Sequence, residues 1–312
     1  MSINVFLSEE LPKNKDKVIS IISFDKEVGY LNKTLSIGTP ILNKNKLYEI
    51  WEVDDCVKST NVNGVNISIS KNYIFGYTVL EKNGSYEELK SKISGEYENF
   101  FKLAKENKMQ IVKIWHYLPQ LLKKHSNGKT NYSLLCEARE NIYKQYYNDI
   151  EFPAATAIGI EGNKILIYFL ASLCKTYDAI ENERQVSAYN YPQSIFLEKP
   201  MFSRAIKFSS KGSTDKKIVI SGTASIRGYK SMHEREVIKQ LDESIKNYKM
   251  FIELDKNISN VSRVYLSKSQ VYKYADIIKI LNKNFSKNKY ILMQGELCRK
   301  ELLVEIEGIA NV

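Results

Sequence analysis

The chain is 312 residues long and 43% hydrophobic, which excludes a disordered chain and leaves room for two domains of ordinary size. Lys and Arg total 46 against 36 Asp and Glu, a net charge of +10. Seven of these cations are Arg, none before Arg139, and the Lys residues are scattered among Asn and Ser as solvated surface, so no nucleic-acid partner is expected.

Cys56, Cys136, Cys174 and Cys298 form no CxxC pair, and no His stands at metal-ligand spacing. Neither a disulfide framework nor a metal site is predicted, and a reducing cytoplasm fits this usage. The opening MSINVFLSEELPKNKDK has no basic region followed by an apolar core, and no run approaches 18 apolar residues. No membrane partner is expected.

Runs of β-branched and aromatic residues predict strands at Lys17–Phe24, Leu47–Val53 and Tyr73–Leu80. Gly84-Ser85 then opens a helix to about Glu106, with Leu89, Ile93, Tyr97, Phe100, Phe101 and Ala104 on one face. A strand follows at Met109–Trp115 and a second helix at about Asn131–Tyr147. The second half repeats the order. Strands are predicted at Ala154–Ile160, Lys164–Leu173, Gln185–Tyr191, Arg204–Phe208 and Lys217–Ser221, and a long helix from about Met232 to Leu254. A strand at Arg263–Ser267, a helix at Val271–Phe285 and strands at Tyr290–Gly295 and Leu302–Ile309 complete it. Strands grouped before each helix predict an α+β fold of two units, each a mixed sheet backed by helices on one face. The units are expected at residues 1–150 and 151–312, meeting near Ile150–Pro153.

The nucleotide-binding patterns GxGxxG and GxxxxGK[ST] and the nucleophile pattern GxSxG are absent. Gly159-Ile160-Glu161-Gly162 reads as a hairpin turn. Ser221-Gly222-Thr223-Ala224-Ser225, after an apolar strand, offers backbone N–H groups to a ligand or simply bends away from the strand. In the terminal stretch Val304-Glu305-Ile306-Glu307-Gly308, Val304, Ile306 and Gly308 point to one face and Glu305 and Glu307 to the other. Two carboxylates on one face of a mostly buried sheet are costly unless partnered, although a strand with one wet face gives the same pattern. The Arg set, confined to positions 139–299, is the natural grip for carboxylates of a ligand.

The stretch LLVEIEGIA resembles the C-terminal signature of the RidA (YjgF) fold. Three further blocks narrow the resemblance to the chorismatases: Pro153 through Gly159, Arg184-Gln185-Val186-Ser187-Ala188-Tyr189-Asn190-Tyr191-Pro192, and Ile220-Ser221-Gly222-Thr223-Ala224-Ser225-Ile226. With Cys298-Arg299 through Glu305 they stand in the family's order over roughly residues 110–312. The first hundred residues carry no quotable resemblance. The family implies a monomer of two RidA-like units that cleaves the enolpyruvyl ether of chorismate and releases pyruvate, with no metal or organic cofactor.

In that resemblance Glu305 matches the catalytic acid, and Arg204 and Arg139 match carboxylate clamps. Tyr189 stands as an orienting hydroxyl and Ala224 lies in the substrate loop. Cys298 occupies a position where Cys accompanies the 3-hydroxybenzoate-forming branch. The chain departs from relatives at Glu183, where they carry Pro, and at Ser133, which replaces an Arg. It departs again at Arg227-Gly228-Tyr229, where an apolar residue and Gly-His are expected. Arg227 is thus expected to restore, at the substrate, the cation that Ser133 removes. A RidA-fold protein that binds small carboxylates without cleaving chorismate is the alternative.

Overall fold

A computed structural model of the protein describes residues 2–311 apart from 32, 43–45, 147–150, 193, 195–197, 253–259 and 287–288. Three large sheets organise it. The first holds β1 (Ile3–Ser8), β2 (Val18–Ser23), β3 (Val28–Leu31), β4 (Thr34–Ile37) and β5 (Tyr48–Val53), in the order β1-β5-β2-β4-β3.

The second sheet follows the chain order β6 (Lys58–Val62), β7 (Val65–Ile69), β8 (Tyr73–Glu81), α1 (Tyr86–Glu106), β9 (Gln110–Pro119), α2 (Asn131–Tyr146), β10 (Ala154–Ile160) and β11 (Lys164–Ser172). The third runs through β12 (Cys174–Ile180), β13 (Ala205–Ser210), β14 (Lys217–Ala224), a small ribbon of β15 (Ile226–Arg227) and β16 (Lys230–Ser231), α3 (Val237–Lys249), β17 (Asn260–Leu266), α4 (Tyr274–Asn284), β18 (Tyr290–Gln294) and β19 (Val304–Asn311). Their spatial orders, β10-β9-β11-β8-β7-β6 and β18-β17-β19-β14-β13-β12, superimpose strand for strand. Each contains one parallel pair, β9 with β10 and β17 with β18, and each such pair is joined through a helix, as parallel pairing requires. The first sheet carries the same motif stripped of helices: β2 and β4 are parallel, and the short strand β3 replaces the crossover helix.

Sequence explains the helical layers. Ser85 caps α1 through a reciprocal capping box with Glu88, and the predicted apolar face is buried against the second sheet. Helices α3 and α4 cover the outer face of the third sheet in the same way. The inner faces of all three sheets meet in one core that includes Ile22, Trp51, Tyr117, Tyr168, Val219 and Tyr265. Gly308 serves the outer layer, since a Cβ there would stand 2.1 Å from the Tyr248 hydroxyl.

The α+β class and the repeated order hold, with differences of detail. The hydrogen-bonded sheets divide between β11 and β12, at Leu173, because β10 and β11 complete the sheet of β8 and β9; each large sheet with its helices forms one of three units, β1–β5, β6–β11 and β12–β19, and position 150/151 lies inside the second of these. The turn at Glu161-Gly162 does join two strands, but β10 and β11 flank β9 instead of pairing with each other. No strand forms at Gln185–Tyr191. Asn182 turns the chain by accepting from the Arg184 N–H, and Ala188–Asn190 is a short 3-10 turn ahead of Pro192. Helix α3 starts five residues later than expected, after His233 and Arg235 adopt positive φ. Residues 268–273 form a 3-10 turn before α4. The expected ends at Tyr147 and Leu254 lie outside the described residues.

The sheets are tied at their meeting point by Arg263 on β17, which is 3% exposed. Its Nε and Nη2 grip both Glu49 oxygens of the first sheet at 2.8 and 2.6 Å. Its Nη1 donates to the Tyr117 and Tyr168 hydroxyls of the second sheet and lies 3.4 Å from Glu307 of the third. Removing one partner of a buried ion pair leaves the other charged and unpaired. Arg263→Leu is therefore expected to lower unfolding stability by about 3–5 kcal/mol, measured by urea denaturation.

Candidate active site

β19 alternates cleanly. Val304 and Ile306 enter the helix-side core, while Glu305 and Glu307 face the neighbouring unit. Glu307 lies opposite Arg263 on β17, and Glu305 lies opposite Ala224 on β14. Between those registers β14 bulges: Ser221 and Gly222 together oppose Glu307. The bulge presses backbone against the acid, so that a Cβ on Gly222 would fall 2.0 Å from Glu305 Oε1.

The two carboxyls sit in opposite environments. Glu307 Oε2 accepts from Lys113 Nζ at 2.5 Å, Thr156 Oγ1 at 2.7 Å and Trp115 Nε1 at 2.8 Å, and Oε1 accepts from the Tyr265 hydroxyl. Burial opposes ionisation of Glu307, but Lys113 and Arg263 overcome it and hold the carboxyl below its ordinary range. Burial also lowers the pKa of Lys113. The ionised pair is still the state that satisfies the geometry, because Lys113 Nζ donates to both Glu307 and the Ile220 carbonyl. Glu305 is 4% exposed and has no hydrogen-bond partner among the described residues. Burial, reinforced by the Glu307 charge, pushes it up to about 8, against the pull of Lys113 and Arg204.

Glu305, Cys298 and Arg139 line one narrow cleft together with Tyr132, Ala155, Thr156, Ala157, Phe202 and Gly222. The cleft lies between α2 and β10 of the second unit and β14 and β19 of the third. Arg204 lies beside it, buried, with its guanidinium near the rings of Phe202 at 5.2 Å and Tyr191 at 5.5 Å. Its Nη2 donates to the Tyr191 hydroxyl at 2.6 Å and the Val186 carbonyl at 2.9 Å, while Nε has no partner. Neither Arg139 nor Arg204 forms a salt bridge among the described residues, although the Arg204 backbone N–H donates to Glu181 Oε1 at 3.3 Å and the Glu181 and Glu305 carboxyls lie within reach of its charge. Burial, then the nearby Glu305, pushes the Cys298 thiol up to about 12, so it is a neutral thiol.

Other sequence-predicted positions lie elsewhere. Ala224 packs with Leu297 and Leu302 behind Cys298. Tyr189 sets its ring edge-on to Phe152 at 5.5 Å and does not line the cleft. Arg227 is exposed: Ile226 takes the inward position of the short β15–β16 hairpin, which sends Arg227 outward, and it does not replace the cation lost at Ser133. Glu183 is exposed, and the Tyr229 carbonyl accepts from Arg299. Residues not anticipated are Lys113, Tyr132, Thr156 and Phe202. Lys113 carries the clearest signal, a lone cation inside the apolar run IVKIWHYL. Among the described residues no group of three or more His, Cys, Asp or Glu is placed to hold a metal ion, and no helix is long and apolar enough to cross a membrane.

A carboxyl raised on folding binds its proton more tightly in the folded than in the unfolded chain. Its contribution to stability is complete below the ordinary Glu value of 4.5 and is lost as pH rises through about 8. Infrared spectra are expected to show a protonated-carboxyl band that persists past neutrality, fades near pH 8 and disappears in Glu305→Gln. That variant is also expected to lose less stability than the wild type as pH rises from 4.5 to about 8, the window in which the wild-type carboxyl is protonated in the folded chain and ionised in the unfolded one.

Residues 49–171 match the family model for the N-terminal part of FkbO/Hyg5-like chorismatases, a stretch that starts in β5 and stops at the end of β11. The resemblance thus begins well before the blocks from which it was first read. A 3-hydroxybenzoate synthase of Streptomyces hygroscopicus is 26% identical over 94% of this chain and 91% of its own length. A chorismatase of Streptomyces rapamycinicus is 25% identical over 88% of this chain and 85% of its own. The crystal structure of a chorismatase, 22% identical, superimposes with a TM-score of 0.86 over 99% of this chain and 98% of that one. By the family model over residues 49–171, by relatives along nearly its whole length and by its fold, the chain is similar to the chorismatases.

Proposed function

We propose that the protein is a cofactor-independent chorismatase that cleaves the enolpyruvyl ether of chorismate, releasing pyruvate and 3-hydroxybenzoate. The observation that carries this reading is a buried carboxyl, Glu305, that makes no hydrogen bond among the described residues and lies near two buried guanidiniums that form no salt bridge among them. Chorismate is a dianion with an acid-labile enol ether, and it supplies what each group lacks. Arg139 and Arg204 take the carboxylates. Glu305, protonated at neutral pH, delivers its proton to the enolpyruvyl methylene. The carbon–carbon double-bond electrons form the new C–H bond, and the ether oxygen shares its lone pair with the adjacent carbon as an oxocarbenium ion. The ring carbon–oxygen bond of this ion breaks, its electron pair passing to the oxygen as the carbonyl of pyruvate. The neighbouring ring hydroxyl oxygen bonds to the vacated carbon as its proton returns to Glu305. Breaking of its original carbon–oxygen bond, with loss of a ring proton to the phenolic oxygen, gives 3-hydroxybenzoate.

The products differ by one water. Chorismate has the same atoms as 3-hydroxybenzoate plus pyruvate, whereas the dihydroxycyclohexadiene carboxylate and pyruvate require an added water molecule. Cys298, a neutral thiol beside Glu305, fills space that a water would otherwise take. The relative named 3-hydroxybenzoate synthase supports the same product. A monomer is part of the reading, since the second and third units of one chain already supply every residue that lines the cleft.

The test is pyruvate release from chorismate by the purified protein, with the aromatic product identified by chromatography. Glu305→Gln keeps the shape of the side chain but cannot donate the acid proton, and turnover is expected to fall by about 10²–10⁴-fold while chorismate still binds. Binding without any pyruvate release by the wild type would favour the carboxylate-binding alternative. Cys298→Ala is expected to retain pyruvate release and to move product toward the dihydroxy diene; an unaltered product ratio would reduce Cys298 to packing.

A further inference from the structure

We propose that Tyr191 is a positioning residue for Arg204, its hydroxyl holding one nitrogen of the guanidinium so that the rest of the group is presented to a substrate carboxylate. The inference rests on the reading of Arg204 as a substrate clamp and assigns work to a residue that does not line the cleft.

The guanidinium is anchored at a single nitrogen. Nη2 carries two hydrogens, and it donates to two neutral acceptors, the Tyr191 hydroxyl oxygen at 2.6 Å and the Val186 carbonyl at 2.9 Å. Both acceptors belong to the loop that leaves β12 and passes through the 3-10 turn at Ala188–Asn190. Nε is buried and has no partner among the described residues. The one carboxyl bonded to Arg204 is turned to its backbone: Glu181 Oε1 accepts from the Arg204 N–H, and burial pushes that carboxyl above its ordinary range. A carboxylate in the place of the Tyr191 hydroxyl would orient the guanidinium equally well but would oppose the charge that a ligand carboxylate needs. A hydroxyl and a carbonyl orient the group and leave the cation whole.

Tyr191 is itself held in place. It is buried, and its ring centre lies 5.5 Å from the Arg204 guanidinium and 5.3 Å from that of Arg299. Arg299 Nη1 donates to the Tyr229 carbonyl at 2.9 Å and to Ser231 Oγ at 3.1 Å, which ties it to the β15–β16 hairpin. Gly228 of that hairpin donates to the Arg184 carbonyl and accepts from the Val186 N–H. Both acceptors of Arg204 are therefore linked to Arg299, the neighbour of the cleft residue Cys298. The clamp is registered to the wall that carries Cys298. The two halves of Tyr191 divide the work, since the hydroxyl serves Arg204 and the ring also meets Arg299, so removing the hydroxyl alone isolates the first role.

Tyr191→Phe in the full-length protein, checked for fold by circular dichroism, is expected to raise KM for chorismate about tenfold with kcat within about threefold, the scale of one hydrogen bond to a charged group. The same loss is expected in the calorimetric Kd for 3-(carboxymethoxy)benzoate, an aromatic dicarboxylate with an ether. In an Arg204→Met background there is no guanidinium to position, and Tyr191→Phe is expected to change that Kd by less than about twofold. A role in packing alone would give the same loss in both backgrounds, or a lower melting temperature without separating KM from kcat. Folded Tyr191→Phe with KM and Kd within about twofold of wild type would overturn the proposal, as would equal losses in the two backgrounds or an Arg204→Met variant that binds like the wild type. If Arg204→Met binds too weakly to titrate, Tyr191→Phe against the wild type decides. If Tyr191→Phe fails to fold, Tyr191→His, whose shorter ring does not reach Arg204, carries the same comparison. Absence of pyruvate release by the wild type defeats the proposed activity alone, because the dicarboxylate titration still reads the positioning; absence of dicarboxylate binding by the wild type defeats the clamp and this proposal together.

Discussion

Everything in this molecule is arranged around one buried guanidinium. Arg263 reaches Glu49 in the first sheet, Tyr117 and Tyr168 in the second and Glu307 in the third, and the inner faces of all three sheets close over it. A hydrophobic core alone would let sheets slide, because apolar contact is indifferent to register. A planar cation that needs acceptors from three directions admits one arrangement. Its partner Glu307 is the residue two positions from Glu305 on the same strand, so the constraint that fixes the sheets also fixes the cleft.

One strand carries two identical side chains in opposite proton states. Glu307 is surrounded by donors from Lys113, Thr156, Trp115 and Tyr265 and is held ionised; Glu305 meets no donor, and its neighbour's negative charge keeps its proton on. The fully satisfied carboxylate is therefore part of the chemistry of the unsatisfied one. The bulge at Ser221-Gly222 makes this possible by letting β14 bring backbone against Glu305 without a side chain in between.

How much of this was legible follows from which interactions are local. The amphipathic stripe of α1, its Ser85 cap and the alternation of Val304 to Glu307 are properties of neighbouring residues, and they appear in the structure as read. The strand β6, Lys58–Val62, is polar and mostly exposed, and β3 is four residues long, so neither leaves a periodic signal; both are strands because a neighbour pairs with them. Gln185–Tyr191 shows the converse, a β-like composition that finds a single bridge, Gln185 to Gly228, and then turns away as a 3-10 helix. In the cleft, Glu305, Cys298 and Arg139 were legible through family resemblance. Lys113 and Thr156 were not, because their importance lies in contacts nearly two hundred and about one hundred and fifty residues away along the chain. Arg227 was misplaced because nothing in its sequence says which way a two-residue strand will face.

The three units share a strand order, but only the second and third keep their helices. The described cleft needs a helix wall from one unit, α2, and a strand pair from the next, β14 and β19. Elsewhere the units touch directly at points, Ile41 bridging Met293 of β18 and the Tyr30 ring lying 4.9 Å from that of Tyr77, beside a wider pocket lined by Pro40, Gln120, Gly159, Ser267 and Gln294. In a ring of identical subunits every substitution would appear at all three seams, so an acid added for catalysis would also be buried twice where it served nothing. Joining the units in one chain frees each seam to follow its own course. Two can be given over to holding the ring shut while the third accumulates buried charge, and the instability of that single place is carried by the other two.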